Sequence, residues 1–398
     1  MTRTLEDGPT RFGIFQAPFH VRNTAPAVNY QRDLELIELA DKLGLQEAWV
    51  GEHHTGSVEP IGCPELFLAA AAERTQQIML GTGVNSLPYH SPFTLASRLT
   101  QLDHMTRGRV IFGFGPGQLA SDAHILDIDT TQQRRMMLES ARVIVRLMRG
   151  EWVTEKTDWF SLKDAHLQVP PYQLPTMEMV TAATISPSGP TVAGELGLGM
   201  INFGGTSQAV FDAVKDHWAI CEAEAEKHGT SVSRENWRMS AICHIADTEE
   251  QAREDCRYGF EQIWRYLSEI SILQISHATT FEELLDEAIA SGSIIVGTPD
   301  LLIEKIRELA KQTGGFGAFI MTLADFADYP ARRRGVELFA NRVVPEFRGY
   351  LPSLRKSQEW VLGQHNGGEG TIWKTQTLDA IAKAAQQYDS ERGATTSS

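Results

Sequence analysis

Short runs of nearly continuous apolar residues alternate along the chain with longer segments in which apolar residues recur every three or four positions. The runs begin near Phe12 (FGIFQAPF), Glu47 (EAWVGE), Ile78 (IMLGTGVNSLP) and Arg109 (RVIFGFG), and their starts lie 35, 31 and 31 residues apart. That step is the length of a strand, a turn and a helix. Between the runs, QRDLELIELADKLG and PFTLASRLTQLDHMT carry the apolar stripe of a helix lying on a sheet. Runs that are apolar throughout, rather than alternating, predict parallel strands covered by helices. After a helix over about 131–149, a Trp- and Pro-rich excursion (EWVTEKTDWFSLKDAHLQVPPYQLPTM) precedes the fifth strand, EMVTAAT. The rhythm resumes with LGMINFG, a helix near 206–228, the strand WRMSAICHIA, a helix near 248–267 and the strand GFGAFIMTLA. Eight βα units predict an α/β fold of the TIM (β/α)8 barrel type.

Two segments exceed what such a barrel needs. Residues 268–293, before the eighth strand, are long enough either to cover the barrel mouth as a lid-like insertion or to form an ordinary extra helix. Beyond Tyr350 the chain turns polar and Gly/Ser-rich, with one helical run expected around 376–388 and a disordered ATTSS end. The expected organisation is a single barrel domain over 1–350 and a C-terminal extension over 351–398.

Composition narrows the class. With 398 residues, 42% hydrophobic and 22% charged, the chain can fill a large core. Acidic residues outnumber basic ones by 51 to 36, a net charge of -15 that repels nucleic acids and anionic membranes. The four cysteines, Cys63, Cys221, Cys243 and Cys256, show no C-x-x-C spacing and suggest neither disulfides nor zinc. The opening MTRTLEDGPT has no apolar stretch after its charges, and no run of about 18 apolar residues occurs, so a cytoplasmic location without membrane insertion is expected.

In a barrel of this type the chemistry sits at the C-terminal ends of the strands. The second strand ends in Gly51-Glu52-His53-His54, a carboxylate and two imidazoles in consecutive positions. Histidine titrates near neutrality and serves as acid or base, although one histidine bonding a carbonyl is the plainer alternative. The H-E-x-x-H spacing of a zinc site is missing and no metal is expected. The third strand runs into Gly83-Val84-Asn85-Ser86, where glycine lets a flat ligand approach and Asn85 and Ser86 offer bonds to the polar edge of a ring. The fourth ends in Gly113-Phe114-Gly115-Pro116-Gly117, which lacks dinucleotide-loop spacing but whose amides could cradle one phosphate. The fifth ends in Thr184-Ile185-Ser186-Pro187-Ser188-Gly189 before a helix, a ready anion site, or simply an N-cap made by Ser186 or Ser188. Arg134 and Arg135 are the nearest basic candidates for a phosphate.

The strings EAWVGEHH, LGTGVNSLPYHSPFTLASRLTQLDHMTRGRVIFGFGPG, the S-x-S-G stretch and VGTPDLLIEKIRELAKQTGGFGAF occur in order over roughly residues 11–347. In them the chain resembles the bacterial-luciferase-like flavin-dependent monooxygenases, with QLDHMTRGR, GFGPG and SLPYHSP closest to the limonene monooxygenase-type branch. The resemblance implies reduced FMN as cosubstrate, supplied by a separate NAD(P)H-flavin reductase, and O2 as oxidant. It further implies a flavin C4a-(hydro)peroxide, a small hydrophobic substrate such as a terpene, ketone or aldehyde, and a homodimer. By motif position His53 falls on the family's acid/base histidine, with Glu52 and His54 beside it. Gly83 and Val84 fall where many members carry a non-proline cis peptide beneath the flavin ring, with Asn85 following. The phosphate role falls to Arg134 or Arg135 together with Thr184, Ser186, Ser188 and Gly189. Gly115 replaces the cysteine that luciferases carry there, which points away from light emission and leaves room for a bulkier substrate. Deazaflavin-dependent hydride transfer without O2 and a flavin-binding protein without turnover remain the alternatives.

Overall fold

The computed structural model describes residues 4–22, 24–204, 208–270, 275–365, 367 and 369–395. Eight parallel strands close into a barrel: β1 Arg11–Phe19, β2 Glu47–Val50, β3 Met79–Thr82, β4 Val110–Gly115, β5 Glu178–Ala183, β6 Gly199–Asn202, β7 Trp237–Ile245 and β8 Ala318–Ala324. Closure comes from β1 against β8, paired from Arg11 with Ala318 to Gln16 with Leu323. Phe15, Trp49, Ile111, Val180, Ile201, Ala318 and Ile320 fill the interior. Neighbouring positions point outward to the helices, as Phe12 does against Phe339. Four of the outer helices, Pro26–Lys42, Pro64–Ala72, Pro92–Thr106 and Pro299–Thr313, begin with proline, whose fixed φ and missing N–H suit a first turn.

The floor of the barrel is ionic. Arg238 at the start of β7 is fully buried, with Nε donating to Glu47 Oε2 at 2.9 Å and Nη2 to Glu178 Oε1 at 2.6 Å. Arg11 joins through Glu47 Oε1 at 3.0 Å, and the Trp49 indole N–H donates to Glu47 Oε2 at 2.9 Å. Desolvation alone would raise the Glu47 carboxyl, yet Arg238 and Arg11 hold it below its usual range.

A second buried network ties β1 and β8 to the helix layer. His20, just past β1, donates from Nδ1 to Asp325 Oδ2 at 3.0 Å and from Nε2 to Asp33 Oδ2 at 2.9 Å. Arg332 completes it on Asp325 Oδ1 at 2.6 Å, and Gln16 on Asp33 Oδ1 at 2.7 Å. Burial opposes a charged His20, but its bonds to Asp325 and Asp33 outweigh it and lift the ring from 6.5 to about 9. The folded state therefore holds a proton that the unfolded state releases. This stabilisation is complete below pH 6.5 and is lost as pH rises through about 9. The expected loss approaches about 3 kcal/mol, read as a lower urea midpoint at about pH 9.5 than at about pH 6, and His20→Gln should flatten that difference.

The excursion before β5 is an antiparallel hairpin, Val153–Lys156 with Ser161–Ala165. The expected helix near 206–228 spans Gln208–His228, its first positions falling outside the described residues. The expected helix near 248–267 is instead two helices, Glu249–Asp255 and Phe260–Ile270, separated by a single 3-10 turn. Within 268–293 a further helix, Phe281–Ala290, opens with a capping box of Thr280 and Glu283. Its Leu284, Leu285 and Ala288 pack with Phe260, Ile263, Trp264 and Leu267 and with Val58 from the loop after β2. The insertion thus has a core of its own, while residues 271–274 of the expected lid lie outside the described residues. Ile294–Gly297, which the sequence pattern left inside the connection, is a ninth parallel strand on β7, paired from Ile242 with Ile294 to Ile245 with Gly297.

The chain divides into two compact units, one ending at Val344 and the other beginning at Pro345, so the division falls a few residues before the expected 350. The second unit carries two helices, Tyr350–Leu362 and Ile372–Thr395, where one shorter run was expected. The rings of Trp360 and Trp373, 5.2 Å apart, link them. Helix extends through Ala394 and Thr395 of the end expected to be disordered, and 396–398 lie outside the described residues. Among the described residues no helix is long and apolar enough to cross a membrane.

Candidate active site

The loop leaving β2 is organised by one carboxylate from beyond β4 and one of its own. Asp122, in the short helix Ala120–Ile125 after β4, accepts the His54 backbone N–H at 3.1 Å and the Thr55 hydroxyl with Oδ1. Its Oδ2 lies 3.1 Å from His53 Nδ1. On the other side of the same ring, Glu59 Oε2 stands 3.0 Å from His53 Nε2. Burial would make the ring less basic, but the Glu59 charge and the bond to Asp122 raise its proton affinity above the ordinary value. Burial likewise raises Glu59, with His53 opposing. Burial also works to raise Asp122, but the bonds from His53 and Thr55 prevail and lower it.

Glu52 is buried and acts as an anchor rather than facing open space. Its Oε1 accepts His90 Nε2 at 2.7 Å and His54 Nε2 at 3.3 Å, and its Oε2 accepts the Ser86 backbone N–H at 2.6 Å. Desolvation is outweighed by these bonds, and the carboxyl is held low. His54, bonded to Glu52, is raised. Glu52, His53 and His54 are therefore brought together at the mouth, where His53 alone bridges two carboxylates.

The β3 end carries the cis peptide between Gly83 and Val84 at the place the sequence strings indicate. Phe15 lies under Gly51 and Gly83, and Val84 faces Gly115: a Cβ on Gly115 would stand 3.1 Å from Val84 Cγ2 and 3.5 Å from Ala182 Cβ. The space beside Gly115 is thus largely taken by Val84 and Ala182. Asn85 behaves differently from expectation. Wholly buried, it donates from Nδ2 to Glu65 Oε2 at 3.0 Å in the helix Pro64–Ala72, so its amide is turned to the helix layer rather than to a ring at the mouth.

At the end of β5 the helix Ser188–Leu196 starts with Pro187 at the N-cap and no side-chain cap from it. Ser186 Oγ accepts the Ser188 N–H at 3.3 Å and lies 3.0 Å from Ser188 Oγ, a partial cap that leaves both hydroxyls beside the helix start. Gly189 is buried against the Ala182 carbonyl, with which any Cβ would collide, and this draws the helix start onto the strand end near Thr184. A helix start only partly capped, two hydroxyls and the positive end of a helix fit a phosphate. The arginines do not converge on this place by any contact. Arg135 is spent on Asp158, with Nη1 at 2.9 Å from Oδ1 and Nη2 at 2.9 Å from Oδ2, and on Glu139 at 2.9 Å, while Arg134 is exposed.

Sequence reading missed Glu59, Asp122 and His90. The last two stand in other βα units, 69 and 38 residues from the groups they bond, so no spacing rule pairs them. Glu59 was within reach, since it closes the same loop as His53. Among the described residues no group of His, Cys, Asp and Glu is arranged to hold a metal ion.

A family model described as luciferase-like monooxygenase matches residues 10–315. Limonene 1,2-monooxygenase from Rhodococcus erythropolis is 43% identical over 390 residues, covering 98% of this chain and 97% of the relative. 4-Hydroxyprotoasukamycin monooxygenase from Streptomyces nodosus subsp. asukaensis is 41% identical over 360 residues, 89% of this chain and 96% of the relative. More distantly, an F420-dependent glucose-6-phosphate dehydrogenase from Amycolatopsis mediterranei is 26% identical over 301 residues, 69% of this chain and 84% of the relative. Among solved structures, the oxygenating constituent of 3,6-diketocamphane monooxygenase from Pseudomonas putida, in complex with FMN, has a TM-score of 0.70 at 22% identity, covering 85% of this chain and 99% of that one.

Proposed function

Because the chain belongs to the luciferase-like monooxygenase family, we propose that it is an FMN-dependent monooxygenase of small hydrophobic molecules, with cyclic terpenes as the first class to test. One observation carries this reading: the 43% identity to a limonene monooxygenase runs through essentially the whole of both chains. The family resemblance extends the proposal to a separate NAD(P)H-flavin reductase as the source of reduced flavin and to a homodimer.

The residues present fit the cofactor. The helix start at Ser188 and Gly189, with the Ser186 hydroxyl, would hold the phosphate, with Thr184 beside it. Gly83, Val84 and Gly115 would form a wall for the ring. Bound reduced FMN supplies the two electrons with which O2 yields one oxygen atom to the substrate and one to water. Phe15, Phe19 and Phe203, packed at or around the barrel interior, exclude water from that space. His53 holds a proton at the mouth between Glu59 and Asp122 and is the group placed to give it up to a developing oxygen anion.

The test supplies enzymatically reduced FMN and 18O-labelled O2 to the protein with limonene. Product carrying one labelled oxygen is the expected result. Flavin reoxidation without labelled product across terpenes, ketones and aldehydes would remove the reading, and a deazaflavin bound more tightly than FMN and reduced without O2 would replace it with hydride transfer.

A further inference from the structure

We propose that Glu59 is a positioning residue that, opposite Asp122, locks His53 as a doubly donating imidazolium, so that the resting site holds an acid rather than a base. The chemical consequence rests on the oxygenase reading above; the locking itself does not.

With Glu59 ionised, the geometry leaves the ring little choice; burial favours the neutral carboxyl, and the His53 charge is what opposes it. Carboxylate oxygens lie against both ring nitrogens, Asp122 Oδ2 at 3.1 Å from Nδ1 and Glu59 Oε2 at 3.0 Å from Nε2. A neutral imidazole carries one N–H and would confront one carboxylate with a lone pair, whereas an imidazolium donates to both. The side chains of His53 and Glu59 are only 15% and 12% exposed, so water screens neither contact well. The other charged or titratable groups nearby do not replace Glu59. Glu52 is engaged by His54, His90 and Ser86, and adds attraction for the His53 charge at longer range. His54 opposes that charge in its own protonated form, and the Tyr89 and Tyr266 phenols, both raised by burial, stay neutral near pH 7. Arg22 acts on the Tyr266 phenol through its charge, lowering it against burial.

Glu59 owes its place to the helices between β7 and β8. Its neighbour Val58 is buried in the cluster of Phe260, Trp264 and Leu284, and the Val58 carbonyl accepts the His20 backbone N–H at 2.8 Å. Gly56 has φ +86° and lies so close to the Tyr266 hydroxyl that any Cβ there would collide with it. The loop that carries Glu59 back onto His53 is thus clamped by the helix Phe260–Ile270. Asp122 by itself would fix only Nδ1; Glu59 is what commits Nε2.

The experiment follows the ring nitrogens of 15N-histidine-labelled protein without flavin, with His53 assigned from the signal lost in His53→Gln. Both nitrogens protonated at about pH 7 is the expected wild-type result, and a neutral ring there overturns the proposal whatever the variants do. In Glu59→Gln the His53 proton affinity should fall about tenfold or more, and Glu59→Asp, which keeps the charge, should recover part of it. An unchanged His53 titration in folded Glu59→Gln also overturns the proposal. In turnover, the alkaline limb of kcat should move to lower pH in Glu59→Gln, with KM changed by less than about twofold. Because the nitrogen spectra are read without flavin or substrate, a protonated ring in a protein that oxygenates nothing would sink the oxygenase reading and leave the role of Glu59 standing.

Discussion

His53→Ala is expected to lower oxygenated product per turnover by about 100- to 10,000-fold, the usual worth of a positioned acid or base, with FMN affinity nearly unchanged. The two expectations separate because the groups lie at different strand ends. The phosphate would be held at Ser186–Gly189 after β5, whereas His53 follows β2 and is held by Asp122 and Glu59. Removing the imidazole also leaves those two carboxyls without the cation between them. Each then favours its neutral form, and the variant should take up a proton in place of the lost ring. Reduced flavin should still be consumed in the presence of O2, so product, not flavin reoxidation, is the quantity to measure. The residual rate should show no alkaline limb belonging to residue 53. Wild-type product yield in His53→Ala would take this histidine out of the chemistry and return attention to His54 and His90.

Arg238→Met is expected to cost about 3–5 kcal/mol of stability, the range for stripping one partner from a buried ion pair. Arg238 is the bond between three strands: its own β7, β2 through Glu47 and β5 through Glu178. Methionine fills much of the volume, so the loss reports charge rather than a cavity. Arg11 remains on Glu47, which keeps the penalty from being that of a wholly isolated anion. The buried carboxyl should then bind a proton more readily, and Glu47→Gln in the same chain should recover part of the loss. The sign with pH follows. In wild type the depressed Glu47 contributes stability above its unfolded value and loses it as pH falls through the folded one, and Arg238→Met should weaken that acid dependence. Thermal melts of the two variants against wild type decide it. A midpoint within about a degree of wild type would mean that the floor is held by its apolar neighbours alone.

The barrel was legible because its strands are buried on both faces: RVIFGFG and AFIMTLA read as strands whatever their register. The strand Ile294–Gly297 was not, since four residues, IIVG, after a helix look the same as the end of that helix's apolar stripe. His53 was legible because Glu52, His53 and His54 break an apolar run at a strand end. Their partners were not, because Asp122 and His90 meet them only once the barrel closes. Asn85 misled for a local reason. β3 stops at Thr82 and resumes as the two-residue stub Asn85–Ser86 on β4, so standing just past a strand end does not say which layer the Asn85 amide meets. Arg135 misled because its carboxylate, Asp158, comes from a hairpin whose existence a Trp- and Pro-rich composition does not announce.

The extra strand changes how the barrel is held at its two ends. β7 pairs with β6 only from Trp237 to Met239, and from Ile242 onward it pairs with Ile294–Gly297, while its pairing with β8 runs through Ile242 on the opposite edge. The hoop of backbone bonds is therefore unbroken at the base and spread apart at the rim, with a wedge driven between the sixth and seventh staves. That substitution of one neighbour for another is made of main chain, so it persists whichever side chains line it. Side chains at the rim can therefore vary while the ionic base that keeps the staves together is left alone.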